Sequence, residues 1–196
     1  RHVSCGLMYG NPDTIPVPDL DRTSFLLMLG ANPLESNGSL CTAADFPGRL
    51  AALRDRGGRL VVVDPRRTKS AAAADEHLFI RPGTDAAFLL SILSVLVEDG
   101  LVDLGGIAAH VAGLDEVCAT VRDWLPERTE HITGIAAPTA RRLARELATA
   151  DRAAVYGRMG TTTVPFGTLT SWAADLCTIL TGNLDRPGGL MFPLAA

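Results

Sequence analysis

Three short apolar runs, at 24–29, 60–63 and 153–156, each break off into glycine, proline or a carboxylate. None of them alternates with polar residues. A strand that is apolar on both faces has to be covered on both, which is the pattern of a parallel sheet between layers of helix. A fourth strand is expected at 77–80. The segments between the runs carry helical spacing. The stretch 47–56 has apolar residues at Leu50, Ala51 and Leu53 and stops at Gly57-Gly58, a helix with a glycine end. Residues 70–74 read as a helical turn. Residues 85–98 read as a helix capped by Thr84 or Asp85, with Gly100 beyond it. Nearly every position of that helix is apolar, so it is expected to be covered on more than one side. Short helices are expected at 103–111, 115–124 and 126–131, and a last one at 169–180. The stretch 138–148 is amphipathic, with Leu143, Ala144, Leu147 and Ala148 facing inward and Arg141, Arg142 and Arg145 outward. Strands alternating with helices give an α/β fold, a mostly parallel sheet with helices on both faces. Residues 1–22, rich in proline and aspartate, read as an irregular lead-in, 34–45 as loop, and 23–196 as one α/β domain.

Several function classes fall away on composition. The net charge is −4 and no basic block is present, which argues against nucleic acid as a partner. The single lysine, Lys69, among many arginines reads as genome bias and not as an anion-binding surface. The longest apolar run, 86–97, has the length of a core helix, so no membrane span is expected. Cys5, Cys41, Cys118 and Cys177 lie far apart. Without a Cys-x-x-Cys pair they encode neither a zinc site nor a cysteine-ligated iron–sulfur cluster, and no metal ligand is assigned. Reduced, mostly buried thiols fit a cytoplasmic location. The chain opens on Arg1-His2-Val3-Ser4 and stops at Met191-Phe192-Pro193-Leu194, which reads as a piece of a longer protein.

The unusual residues collect where the strands end. Gly30-Ala31-Asn32 follows the first run, Asp64-Pro65-Arg66 the second, Pro82-Gly83-Thr84-Asp85 the third strand, and Gly157-Arg158-Met159-Gly160 the last. Open α/β sheets bind ligands at the carboxyl ends of their strands. Glycines let backbone amides approach a phosphate, and a carboxylate ending the second strand can accept hydrogen bonds from a ribose diol. Each residue also has a plainer reading. Asp64 can initiate a turn before Pro65, Asp85 can cap a helix, Asn32 can be a turn residue held by Pro33, Arg66 and Arg67 can be solvated charges, and His77 reads as inert. Together, at successive strand ends, they favour one ligand. The nicotinamide fingerprint Gly-x-Gly-x-x-Gly is missing after the first strand, which counts against NAD or FAD.

The segments LGANPLESNGSL, VVVDPRRTKSAAAADEHLFIRPGTDAAFLL, YGRMGTTTVPFG and LTGNLDRPGG resemble, in order, the motif series of the molybdopterin oxidoreductases. That is the dimethyl sulfoxide reductase superfamily, with formate dehydrogenases and periplasmic-type nitrate reductases. The resemblance covers about residues 19–192, and Asp64-Pro65-Arg66 and Pro82-Gly83-Thr84-Asp85 carry most of it. It implies a Rossmann-like domain holding the guanine dinucleotide part of one of two molybdopterin guanine dinucleotides around molybdenum. By that resemblance Gly30 and Asn32 line the pyrophosphate, and Asp64 and Arg66 reach the ribose and neighbouring phosphate. Gly83 and Asp85 sit at the guanine, and Gly157, Met159 and Gly160 flank the dinucleotide. Thr181, Gly182 and Asn183 match a further motif. A parent enzyme's 4Fe-4S cysteines, its protein ligand to the metal and its second cofactor domain are not matched here. Cys5, the nearest thiol, lies too close to the first strand for the family's metal ligand. The implied partners are the remaining domains of the same enzyme and an electron-transfer subunit or carrier, and the fragment alone is expected to be inactive. Two other readings stay open, a stand-alone α/β nucleotide-binding module and a relative that keeps the fold without the cofactor.

Overall fold

The computed structural model describes residues 1–193. Where the composition suggests an irregular lead-in, the chain forms helix α1 (His2–Tyr9), closed by Gly10 in the left-handed region, and a two-residue strand β1 (Val17–Pro18). Strand β2 (Phe25–Leu29) follows. The expected loop at 34–45 contains a single-turn helix α2 (Pro33–Ser36) and a 3₁₀ turn at Ser39–Cys41. Helix α3 (Phe46–Asp55) is capped by Asp45, whose carboxylate accepts from the Gly48 N–H. Next come β3 (Arg59–Val63), α4 (Lys69–Ala73), β4 (Glu76–Leu78) and α5 (Asp85–Glu98). The first of the short helices is a 3₁₀ segment, Gly105–His110, and the others are α6 (Leu114–Val121) and α7 (Pro126–Thr133). The amphipathic stretch is α8 (Ala137–Thr149). The chain closes with β5 (Ala153–Gly157), a short α9 (Met159–Thr162), α10 (Gly167–Ile179) and β6 (Leu190–Met191).

The main sheet has strand order β4-β3-β2-β5, all parallel. The chain therefore winds outward from β2 through β3 to β4, then returns to the other side of β2 as β5. The strand order reverses between β2 and β5, with Leu29 opposite both Val63 and Gly157 at the carboxyl edge. Every residue of β2 is buried, because helices cover both faces. Helix α3 packs on β3, α8 on β2 and β5, and α10 on β5. The uniformly apolar α5 is wrapped by α6, α7, α8 and α10, and its residues from Asp85 to Leu96 are all buried. Burying one such leucine contributes about 1.5–3 kcal/mol.

On α8, Leu143, Ala144 and Leu147 are fully buried and Ala148 half-buried, as the spacing indicates. The three outward arginines are ion-paired. Arg141 joins Glu98 and Glu127, Arg142 joins Glu76 and Glu146, and Arg145 joins Asp99.

A small second sheet closes the fold. Strands β1 and β6 pair antiparallel, Val17 opposite Met191 and Pro18 opposite Leu190. Asp19 pins this clasp, its carboxylate accepting from the Gly188 N–H and from Arg22, both at 2.9 Å. The Tyr9 ring meets Phe192 edge-on at 5.3 Å between centroids.

Candidate functional site

At the end of β2, Gly30 adopts φ +52°, its N–H donates to Val63 at 3.1 Å, and its carbonyl accepts the Gly160 N–H at 3.0 Å. The two glycines touch backbone to backbone. A Cβ on Gly30 would lie 2.8 Å from the Gly160 carbonyl carbon, and a Cβ on Gly160 2.8 Å from the Gly30 Cα. Gly157 is the last residue of β5, not the first of the loop, and a Cβ there would meet the Thr161 hydroxyl at 3.0 Å. Gly30 and Gly160 are thus required by the contact between the β2 and β5 loops, and Gly157 by the fold-back of its own loop onto Thr161. Asn32 stands at the start of α2. Its side-chain Oδ1 accepts from the Ser70 hydroxyl at 2.8 Å and the Ser70 N–H at 3.2 Å, and the Ser70 Oγ in turn accepts from the Leu34 N–H. That tie joins the β2 loop to α4, whose first turn is capped by Thr68. Sequence reading missed Ser70, which is fully buried.

Asp64 closes β3 as a buried carboxylate that accepts the Arg66 N–H at 2.8 Å, while the Arg66 side chain is exposed. The ring of His77, read as inert, donates through Nε2 to the Asp64 carbonyl at 3.0 Å and leans on Phe79. Gly83 turns the chain at φ +80°, and the space a Cβ would take there ends 3.6 Å from Pro165, so this loop faces the one after α9. Thr84 holds the N-cap position of α5, yet its hydroxyl donates back to the Arg81 carbonyl and no side chain caps the helix. Asp85 is the first helical residue. It is 4% exposed and its carboxylate makes no hydrogen bond to another residue among the described ones. Burial pushes its pKa up to about 6, its own N–H offsets part of that, and the nearby Asp64 charge adds to it. The two acids therefore share one rim within electrostatic reach.

Met159 and Phe166, 58% and 73% exposed, flank that rim beside Gly160 and Pro165. The half-buried Arg158 side chain lines a small pocket with Cys41, Tyr156 and Asp175, its Nε sealed from solvent and without an acceptor. Asn183 is buried, its side chain accepting from the Ala153 N–H and donating to Thr181, so this motif braces the start of β5. Cys5 is fully buried on α1, where burial pushes its thiol pKa up. One apolar cavity lies away from the rim. It measures about 470 Å³, is lined by apolar side chains such as Leu7, Ile107, Trp172 and Leu176, and holds none of the strand-end residues.

A parallel sheet whose order reverses beside its central strand, with acids and glycines on the carboxyl-end loops, defines a doubly wound α/β domain with its candidate site at the topological switch point. The family model of molybdopterin oxidoreductases matches residues 6–195, and the chain belongs to that family. It is 30% identical over 171 residues to formate dehydrogenase H of Escherichia coli (strain K12), covering 87% of this chain and 23% of that protein. It is 31% identical over 210 residues to the putative dimethyl sulfoxide reductase chain YnfE of the same organism, covering 95% and 26%. Among solved structures, acetylene hydratase from Pelobacter acetylenicus superimposes with a TM-score of 0.82 at 25% identity, over 97% of this chain and 25% of that one. The chain thus spans about a quarter of the length of these relatives.

Proposed function

We propose that this chain is the domain of a molybdenum-dependent oxidoreductase that binds the guanine dinucleotide part of one molybdopterin cofactor. The observation that carries the reading is Asp85, a buried carboxylate with no hydrogen-bonding partner residue, set beside Gly83 on the same rim as Asp64. Guanine presents two adjacent donors, N1–H and N2–H₂, which suit one carboxylate in bidentate geometry. Asp64 and the Arg66 side chain then face the ribose and neighbouring phosphate. Gly30 and Asn32 shape the floor under the pyrophosphate, and Gly157, Met159 and Gly160 flank it. The residues fit such a group because the rim offers the base an acid without a partner residue. The bound metal centre supplies the redox chemistry, and this chain binds and orients, remote from the metal. The remaining domains of the same enzyme and an electron-transfer subunit or carrier are its partners. An iron–sulfur cluster would be held outside these residues. Four free thiols support a cytoplasmic setting.

Calorimetric or NMR titration of the chain with guanosine and adenosine diphosphates tests the reading. Affinity for half of the natural ligand is expected near millimolar, about −4 kcal/mol. Asp85→Asn should weaken the guanine nucleotide about tenfold or more and leave the adenine nucleotide nearly unchanged, since a lost charge-assisted hydrogen bond costs about 1.5–3 kcal/mol. Asp64→Ala should weaken both alike. Equal loss of both nucleotides in Asp85→Asn would sink the assignment.

A further inference from the structure

Four sealed side-chain atoms have no hydrogen-bond partner among the described residues: Ser4 Oγ, Tyr9 Oη, Arg158 Nε and Asp175 Oδ2. The residues of the last two, a cationic donor and an anionic acceptor, line one small void together with Arg1, Cys41 and Tyr156. Three separate parts of the chain meet on it. Arg1 stands just before α1, Asp175 lies on α10, and Arg158 follows directly on β5. Asp175 is 1% exposed. Its Oδ1 accepts from Arg1 Nη2 at 2.8 Å, and Arg1 Nη1 donates to the Ser171 carbonyl at 3.2 Å. The second oxygen of this buried carboxylate is left over. The other polar walls do not serve it. The Tyr156 hydroxyl is spent on the Gly38 carbonyl at 2.6 Å, and the Cys41 thiol is a weak donor at best. A buried donor or acceptor without a partner costs its full desolvation, and native folds seldom keep one unmet. The two unmet atoms are complementary, yet no hydrogen bond joins them directly. The void between their residues measures about 10 Å³, close to the room that a single water molecule needs.

We propose that this void is a binding site for one internal water molecule, which accepts from the Arg158 Nε–H, donates to Asp175 Oδ2 and so ties the loop after β5 to α10. The chemistry of the walls selects that occupant. An anion would face the unpaired carboxylate oxygen, a metal cation would face the guanidinium groups of Arg1 and Arg158, and an apolar group would leave both atoms unmet. A water both accepts and donates, and a bridging water is nearly as good in enthalpy as a direct hydrogen bond. Through Arg1 the same bridge reaches the start of α1, so one molecule links three elements. Arg158 sits between Gly157 and Met159, and its side chain then anchors the β5 loop to the helix layer, whether or not a nucleotide binds at the rim.

A crystal structure of the 196-residue chain, at a resolution that shows ordered water, is the direct test. One water within about 2.7–3.2 Å of both Arg158 Nε and Asp175 Oδ2 is expected. A direct hydrogen bond between the two side chains, a dry void, or an ion in the place of the water overturns the proposal. Two variants test it in solution. Arg158→Gln sets an amide nitrogen at the same bond position as Nε, whereas Arg158→Met sets a methyl group there. Oxygen-17 relaxation dispersion of the solvent counts water molecules held for longer than the protein tumbles. Arg158→Met should lose one such water relative to wild type, and Arg158→Gln should keep it. In urea, the unfolding equilibrium constant of Arg158→Met should exceed that of Arg158→Gln about fivefold or more, since only the first leaves Asp175 Oδ2 unmet. Equal water counts in the two variants, or equal stabilities, would mean that the Nε–H bridges nothing and would overturn the proposal. Should Arg158→Met fail to fold, the water count of Arg158→Gln against wild type and the crystal structure still decide it.

Discussion

Asp85 is an acid placed where it costs stability. Burial raises its folded pKa to about 6, above the unfolded value near 3.9. Between those values the folded chain holds more protons than the unfolded one, so stability falls as pH rises from about 4 to about 6 and stays low above that. Asp85→Asn removes the ionisable group. It should raise the melting temperature at pH 7.5, by the equivalent of on the order of 2 kcal/mol, and change little at pH 4. Thermal unfolding of the two chains at both pH values checks this. A residue that merely caps α5 would give the opposite sign, since losing a cap costs about 0.5–2 kcal/mol. The same group sets a pH profile for binding. Guanine's donors favour the ionised carboxylate, so wild-type affinity for guanosine diphosphate should climb from pH 5 to pH 7 and then level off. Titration at four pH values reads this, and a flat profile would remove Asp85 from the base. A site that gains affinity by giving up stability is a familiar trade at functional positions.

Among the elements, the loops after β2 and β5 are the most tightly specified. Gly30→Ala sets a Cβ 2.8 Å from Gly160 at a φ of +52°, so both sterics and backbone conformation oppose it. A loss of about 2–4 kcal/mol is expected in denaturant unfolding. Gly57→Ala, at φ +77° with nothing within 4 Å, isolates the conformational contribution and should cost only about 1 kcal/mol. Similar losses in the two variants would show that the loop contact contributes nothing. The strands at the heart of this arrangement were legible because a run such as Leu26-Leu27-Met28-Leu29 has no polar face to offer water. The order of the loop motifs along the chain was legible for the same reason, since each follows a run. Helix α1 was not. Ser4 and Cys5 are buried only because α10 packs there, a contact with no local pattern. The Asn32–Ser70 tie joins two short polar residues 38 positions apart, and hydrogen bonds of that kind leave no periodicity to read.

At the scale of the molecule, the proposed function gives the chain one cradle on one sheet. On the proposed function it should purify without stoichiometric molybdenum and show no substrate-dependent dye reduction with formate, by metal analysis and a standard assay. Turnover by this polypeptide alone would contradict the reading. Hydrogen exchange should grade the fold, slowest in β2 and α5, where every residue but the end of α5 is buried, and fastest in the exposed segment around Met159 and Phe166. The clasp of β1 and β6 has a different kind of consequence. Its outer pair is Val17 and Met191, so a pull on the two ends of the polypeptide loads both strands from the same side. In that geometry the hydrogen bonds break in succession, like a zipper, and not all at once in shear. The clasp is therefore expected to act as a mechanical fuse, and force spectroscopy on a chain pulled at its two ends should show it opening below the force that unfolds the four-stranded sheet.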